Sequence, residues 1–180
     1  MTKARTLADF NTTNIDPANL DSTGTIPSAL LAGVGGGKLL NVVSGGSSTT
    51  TTTGHSGWQA TNIAVTIQPS ATSSKVFLTL DLNGIMTAAQ NTGVGFAIFA
   101  TENGTTILGE QLLKYAGYMG SSISGVNDVQ NSAGFSYLHS PNSTNSILYT
   151  VYIKRTTGAG NVKVCANNQL SSFIAMEIAA

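Results

Sequence analysis

The chain has 180 residues, of which 9% are charged, and its eight basic residues balance its eight acidic residues. Soluble domains usually carry about 25% charged residues, so this composition excludes a disordered charged tail, a coiled coil and a nucleic-acid binder that neutralises phosphates with a basic patch. The 20 glycines and the many Ser, Thr and Asn residues are weak helix formers, whereas alternating Val, Ile and Thr favour strands. The composition therefore predicts a low-charge, β-rich protein.

The first 37 residues show no sustained helical or strand periodicity, and they end in a glycine cluster at 33–37. Because glycine-rich joints have no side chains to pack, we interpret residues 1–37 as an extended arm with a hinge. Pro27 is well placed to begin one helical turn. The apolar residues of the arm recur singly and cannot bury one another, so we expect them to dock into grooves on a partner. These candidate anchors are Leu7, Phe10, Ile15, Leu20, Ile26, Leu30 and Leu31.

The start of the chain does not have the pattern of a targeting segment. Lys3 and Arg5 are followed by no apolar run, so we expect no secretory signal. No stretch reaches the roughly 18 apolar residues that a membrane span needs, so we expect no membrane insertion and folding in a cytoplasm.

From Lys38 onward apolar residues alternate with polar ones, which is the pattern of half-buried strands. One segment, 94–99, carries apolar residues on both faces and is expected to be covered on both sides, whereas 49–53 is interpreted as a polar connector with β preference. About eight strands separated by turn residues such as Glu102-Asn103-Gly104 predict one all-β domain over residues 38–180, an antiparallel β-sandwich or jelly roll. The predicted strands are 39–43, 63–67, 76–83, 94–99, 105–113, 135–138, 147–153 with a continuation at 162–164, and 174–178.

The final strand is expected to pair inside a sheet or with a neighbour, because an exposed edge would invite aggregation. Ile174, Met176 and Ile178 share one of its faces. Glu177 lies on the opposite face, where we expect a solvated or sheet-edge carboxylate. If that face is an oligomer contact, the candidate partners of the carboxylate are Lys154, Arg155 and Lys163.

The sequence contains no convincing catalytic or metal-binding motif. The glycine cluster fails the P-loop pattern because no Ser or Thr follows Lys38. His55, His139 and Cys165 do not have metal-ligand spacing, and Cys165 is expected to be a small buried hydrophobe on a strand. There is no Gly-x-Ser-x-Gly elbow, and nothing pairs two carboxylates for glycoside cleavage. We therefore expect a protein that is not an enzyme and that has no cofactor and no metal.

Residues near loops are the remaining candidates for recognition. Flat aromatic rings suit sugar stacking and protein contact, and they also serve in ordinary packing, which is our leading interpretation here. The two histidines are expected to be solvated loop residues. The candidate surface-recognition residues are Trp58, Tyr115, Tyr118 and His139.

Six segments towards the two ends of the chain share one pattern: 3–10 (KARTLADF), 15–16, 24–27 (GTIP), 37–43, 67–76 and 172–178. The first three resemble the N-terminal segment of many bacteriophage tail-fibre and other virion proteins. The other three look like the start and the closing strand of the trimeric β-sandwich head of those proteins. The middle, residues 84–146, matches no pattern of this kind.

The resemblance implies a homotrimer of jelly-roll heads docked by N-terminal arms, in a virion assembled in the host cytoplasm. It implies as partners the chain itself and the major capsid protein or another virion protein. An arm of 37 residues reaches at most about 130 Å and no shaft repeat follows it, so the head is expected to sit directly on the virion surface.

These expectations favour a capsid-decorating or cement-type protein over the alternatives. The second hypothesis is a short tail-fibre or head-fibre knob that binds a host-surface glycan or protein. The third is a small depolymerase, for which the sequence offers no catalytic pair.

Overall fold

The computed structural model describes residues 38–87, 89, 91–108, 114–118 and 129–180, and in 107–108, 114–118 and 129–130 it describes the backbone alone. The predicted arm, its seven anchors, its helical turn and the predicted boundary at residue 37 lie outside the described residues. They remain predictions.

Eleven strands, all paired antiparallel, form the described part of the chain, together with one short 3₁₀ turn at Ala166–Asn168. The predicted all-β sandwich is confirmed. The strands are β1 (Leu39–Ser47), β2 (Thr51–Thr53), β3 (Gln59–Ile67), β4 (Lys75–Thr87), β5 (Gly93–Glu102), β6 (Thr105–Leu108), β7 (Lys114–Tyr118), β8 (Val129–His139), β9 (Ile147–Thr157), β10 (Val162–Val164) and β11 (Ser171–Ile178).

The strands lie in two sheets. In the six-stranded sheet the order is β1-β11-β4-β10-β2, and β8 pairs with the other edge of β4. In the five-stranded sheet the order is β3-β9-β5-β6, and β7 also pairs with β5. The long strands β4 and β5 are therefore central, and each has a single long partner on one edge, β8 and β9 respectively. The C-terminal strand β11 is paired on both edges, as expected.

The core lies between the inner faces of the two sheets, where every second side chain is buried. In β4 the residues from Val76 to Leu82 alternate between buried inward positions and more exposed outward positions. Strand β5 is buried on both sides over most of its length, as its sequence predicted. The core is built from Ile63, Val65, Ile67, Val76, Leu78, Leu80, Leu82, Phe96, Ile98, Tyr149, Val151, Ile153 and Phe173, among others.

Two glycines are required where backbones approach closely. A Cβ on Gly45 of β1 would lie 2.0 Å from the carbonyl oxygen of Ala64 in β3, so glycine lets the edges of the two sheets meet. Gly84 has a φ of +62° at a β-bulge in β4, and a Cβ there would lie 2.5 Å from the Ala166 nitrogen. The amide of Cys165 donates to the Asn83 carbonyl oxygen (2.9 Å) at the same point, which joins the 3₁₀ turn to the bulge.

The structure corrects several details of the sequence interpretation. Residues 51–53 belong to strand β2 and not to a connector, because β10 supplies a ladder partner that no local pattern reveals. Strand β8 is eleven residues long, although its sequence predicted only 135–138. The predicted strand 105–113 is described as β6 up to Leu108, and the rest of it lies outside the described residues.

Candidate functional site

Trp58 lies in the loop before β3, and its ring is half-buried against the outer face of the five-stranded sheet. It meets Phe99 edge to face, with ring centroids 5.9 Å apart, and Phe99 in turn packs on Tyr152 at 4.3 Å. The Lys154 ammonium lies 4.2 Å from the centre of the Trp58 ring, which is a cation–π contact. The loop position was predicted correctly, and the ring contacts place Trp58 in a packed aromatic cluster.

The other three recognition candidates lie in strands and not in loops. Tyr115 and Tyr118 lie in strand β7, because β5 pairs with this segment over Gly93–Phe96. His139 ends strand β8 and is only 8% exposed, so the expectation of a solvated loop histidine was wrong. Of the two candidates whose side chains the structure describes, Trp58 packs on the outer face of the five-stranded sheet and His139 is buried in the six-stranded sheet, so these two are not brought together.

His139 is held by a contact from the facing sheet. Its Nδ1 shares a hydrogen bond of 2.8 Å with the hydroxyl of Tyr149, and Tyr137 stacks on its ring at a centroid distance of 6.4 Å. Burial lowers the pKa of His139, since the charged imidazolium is poorly solvated there. Burial, with a smaller contribution from Tyr137, raises the pKa of Tyr149 above the range of ordinary tyrosines. The pair is therefore a neutral hydrogen bond that links β8 to β9.

Glu177 points into the sandwich and is 2% exposed, so the expected solvated carboxylate was wrong. In β11 the buried positions are Phe173, Ala175 and Glu177, and the apolar residues between them face outward. Glu177 Oε1 accepts hydrogen bonds from the Ser70 amide (2.6 Å), the Ser70 hydroxyl (2.6 Å) and the Ser74 hydroxyl (2.7 Å). Burial raises the pKa of Glu177, but the serine hydrogen bonds outweigh it and lower the pKa below its usual value.

Glu102 and Asp81 are also committed to local hydrogen bonds. The Glu102 carboxylate accepts from the Ser143 hydroxyl (2.5 Å) and the Asn145 side-chain amide (2.6 Å), which lower its pKa. Asp81 accepts from the amide of Asn83 (3.2 Å) on the outer face of β4. In the part of the chain that the structure describes, no three His, Cys, Asp or Glu side chains are grouped to hold a metal ion. These carboxylates therefore secure turns and loops of the fold.

Cys165 is a buried free thiol directly after β10, close to its predicted strand position. Its backbone has a φ of 55°, in the left-handed region that few non-glycine residues adopt. The thiol contacts the Ser47 carbonyl oxygen (3.1 Å) and the Ser171 hydroxyl (3.2 Å), so it bridges three strands in the interior. This supports the predicted packing role.

The most distinctive surface is the outer face of the six-stranded sheet. Val42 of β1, Met176 of β11, Phe77 of β4 and Leu138 of β8 lie directly opposite one another in the strand register. They form one row across four strands, about 14 Å wide at the usual strand spacing. Val42 is 50% and Leu138 46% exposed. With their apolar neighbours on the same face they form what we call the apolar outer patch, which consists of Leu39, Val42, Phe77, Leu138, Ile174, Met176 and Ile178.

The rest of this face carries small residues. Two rows further along the strands, Gly46, Ser172 and Gly134 accompany Asp81. The sequence analysis missed the patch, although a signal was present: β11 has apolar residues at both its odd and its even positions. A strand with one solvated face would alternate apolar and polar residues instead.

The sequence matches no protein-family model and no curated protein. Among solved structures, the chain is similar to VP2 of infectious bursal disease virus in a subviral particle (12% identity, TM-score 0.41, 78% of this chain and 38% of VP2). It is similar also to the structure of the Gx strain of that virus (14% identity, TM-score 0.40, 76% of this chain and 37% of the other). The matched region thus spans a little over a third of those chains. The described residues contain no helix long and apolar enough to cross a bilayer.

Proposed function

We propose that the chain is a non-enzymatic structural protein of a bacteriophage virion, a homotrimeric capsid-decorating or cement-type knob docked through residues 1–37. The observation that carries the proposal is the apolar outer patch on an otherwise complete sandwich. Contiguous exposed apolar surface on a soluble protein marks a contact surface for another macromolecule. Its position on the outer face of a sheet fits a partner that is also a folded protein.

The resemblance at both ends of the chain supports a virion location. The matching segments 3–10 and 24–27 fall in the arm, and 172–178 forms the strand β11 that carries three patch residues. Residue 37 precedes Lys38 and Leu39, so the arm joins the head beside the patch in sequence. Each arm anchor that a capsid groove buries would contribute about 1.5–3 kcal/mol. Three arms on one trimer would multiply that affinity through avidity.

The titratable groups support a structural role. Glu177, Glu102 and His139 are described titratable side chains with shifted pKa values, and each is hydrogen-bonded to a neighbouring loop or strand. Their shifted pKa values arise from this packing, since burial or hydrogen bonding accounts for each of them. Their hydrogen bonds stabilise the sandwich by joining its strands to neighbouring loops and strands.

Deletion of residues 1–32 tests the docking role. The described core consists entirely of residues after Lys38, so the shortened chain is expected to stay folded and to self-associate. We expect it to lose binding to purified capsids in a pull-down, whereas the full chain binds. An antibody to residues 38–180 should label the shell of intact virions. Binding retained by the shortened chain, or label confined to the tail tip, would contradict the proposal.

The second candidate is recognition of a host-surface glycan, and the half-buried cluster of Trp58, Phe99 and Tyr152 favours it. Aromatic rings beside a lysine suit the apolar face and the hydroxyls of a sugar. In this case labelled protein should adhere to host cells, free surface glycan should compete, and Trp58→Ala should abolish adhesion. Adhesion that is unchanged in Trp58→Ala would remove this candidate.

A further inference from the structure

The apolar outer patch has a shape and charge that restrict what can cover it. Along the outward positions of β1, β4, β8 and β11, the charged side chains among the described residues are Lys75 and Asp81. They are of opposite sign and lie on the same strand, about 20 Å apart at the usual rise per residue. A nucleic acid or an anionic membrane would find one cation on such a face, Lys75, and no basic cluster that could neutralise phosphates. A neutral protein surface would meet no like-charge repulsion.

The face is also complementary to itself. At one end it carries the bulky side chains of Leu39 and Ile178 beside Lys75, and at the other end the small residues Gly46 and Ser172 beside Asp81. When two copies pack face to face in opposite directions, the bulky end of one lies over the small end of the other. The same arrangement brings each Lys75 towards the Asp81 of the other copy. A two-fold contact between identical copies requires this kind of reciprocal fit.

The size of the face agrees with such a contact. Four strands and the eight residues of β11 give it a projected area of about 500 Å². Its accessible area is larger, because side chains stand out from the pleated surface. A standard protein interface takes about 800 Å² from each partner. The central row of Val42, Met176, Phe77 and Leu138 would then form the apolar core of the interface, with polar residues at its rim.

We infer that the apolar outer patch pairs two copies of this chain face to face. Leu138 and Val42, at the two edges of the row, become buried in the contact, and the six-stranded sheet of each copy faces that of the other. A face-to-face contact joins copies in pairs, so it is a separate contact from the three-fold one of the proposed trimer, and the inference does not rest on that trimer. It is tested on the purified chain, whereas the virion role is tested on capsids, so each can fail without the other.

The structure offers a matched pair of leucines for the experiment. Leu138 lies in the patch and is 46% exposed, and Leu148 lies on the outer face of the five-stranded sheet and is 42% exposed. The mass of the full chain is measured by sedimentation velocity for the wild type, Leu138→Lys and Leu148→Lys over a range of concentrations. We expect the wild type and Leu148→Lys to form the same assembly. Leu138→Lys should raise the dissociation constant of the pairing at least tenfold and halve the mass of the wild-type assembly.

Three results would overturn the inference. They are a wild-type chain that is monomeric at every concentration, a Leu138→Lys chain that assembles like the wild type, and equal dissociation by Leu138→Lys and Leu148→Lys. Circular dichroism shows whether each variant is folded. Should Leu138→Lys be misfolded, Val42→Lys replaces it, because Val42 is half-exposed at the opposite edge of the patch.

Discussion

The two sheets of the sandwich present very different outer faces. On the six-stranded sheet, Leu138 stands opposite Phe77 in a continuous apolar row. On the five-stranded sheet, Leu148 stands between Thr66 and Thr101, so it is an isolated apolar side chain among hydroxyls. Threonine favours strands, and its hydroxyl group is readily hydrated. The fold therefore does not require an apolar outer face, and the apolar row supports the inferred contact between copies.

The bulky rings of the five-stranded sheet support this distinction. Phe99 and Tyr152 lie on its outer face but pack against each other and against Trp58, which the Lys154 ammonium covers. Part of the apolar surface of these rings is therefore buried by contacts within the chain. The patch residues Val42 and Leu138 have no comparable cover among the described residues, since both remain about half-exposed. This difference between the two faces indicates that exposed apolar area, more than the number of aromatic rings, is the better guide to the inferred contact surface.

The largest expected effect distinguishes the inward from the outward side of β11. Phe173 is fully buried between the sheets, and Phe173→Ala should lower the free energy of unfolding by about 3–5 kcal/mol. Ile174 faces outward, so Ile174→Ala should cost about 1 kcal/mol or less at concentrations below assembly. Urea denaturation of the two variants measures the difference. Equal losses would mean that the outer face of β11 is as deeply packed as the core.

A smaller effect is expected from the buried carboxylate that anchors the end of β11. Glu177→Gln keeps the shape but removes the charge that strengthens the hydrogen bonds from Ser70 and Ser74, and it should cost about 1–3 kcal/mol near neutral pH. Because the pKa of Glu177 is lowered in the folded state, its contribution is complete above the ordinary value of about 4.3 and is lost as the pH falls through the folded-state value.

Urea denaturation between pH 3 and pH 7 measures this dependence. The stability difference between the wild type and Glu177→Gln should shrink steadily towards the acid end of the range. Glu102→Gln is the matched control, because its carboxylate accepts similar hydrogen bonds from Ser143 and Asn145 but is open to solvent. It should change stability little. A difference between the wild type and Glu177→Gln that does not vary with pH would contradict the assignment.

The smallest effect is expected on the five-stranded sheet. Trp58→Ala removes one edge-to-face ring contact and one cation–π contact, each worth about 0.5–1.5 kcal/mol, so the loss in stability should be about 1–2 kcal/mol. The mass of the assembly should not change, since Trp58 lies on the face that makes no contact between copies. Thermal unfolding and sedimentation of the same samples measure both quantities. Loss of the assembly in Trp58→Ala would mean that the wrong face has been assigned.

The alternation of apolar and polar residues within single segments was enough to predict most strands of the sandwich. The 76–83 segment identified β4 because Val76, Leu78 and Leu80 repeat every second residue. Asn103 and Gly104 identified a tight turn, and both have positive φ between β5 and β6. Strand β2 could not be predicted in this way, because Thr51–Thr53 gains its strand character only from β10, more than a hundred residues later in the chain.

The contact surface was harder to predict than the fold. Ile174 and Met176 share a face, as the sequence indicates, but alternation alone does not say which face points inward. Phe173 and Ala175 occupy the inward positions, and the carboxylate of Glu177 accompanies them because Ser70 and Ser74 supply its donors from a distant loop. The apolar row also required the register of four strands, which no single segment of the sequence contains.

Cysteine reactivity compares the two outer faces most directly. Leu138→Cys and Leu148→Cys place one thiol on each face, and Cys165 contributes little background because it is buried. The rate of maleimide labelling is measured for both full-length variants at concentrations above and below assembly. The account predicts that the thiol at position 138 is protected in the assembly and reactive on dilution, whereas the thiol at position 148 reacts at the same rate throughout. Equal and concentration-independent rates at the two positions would contradict it.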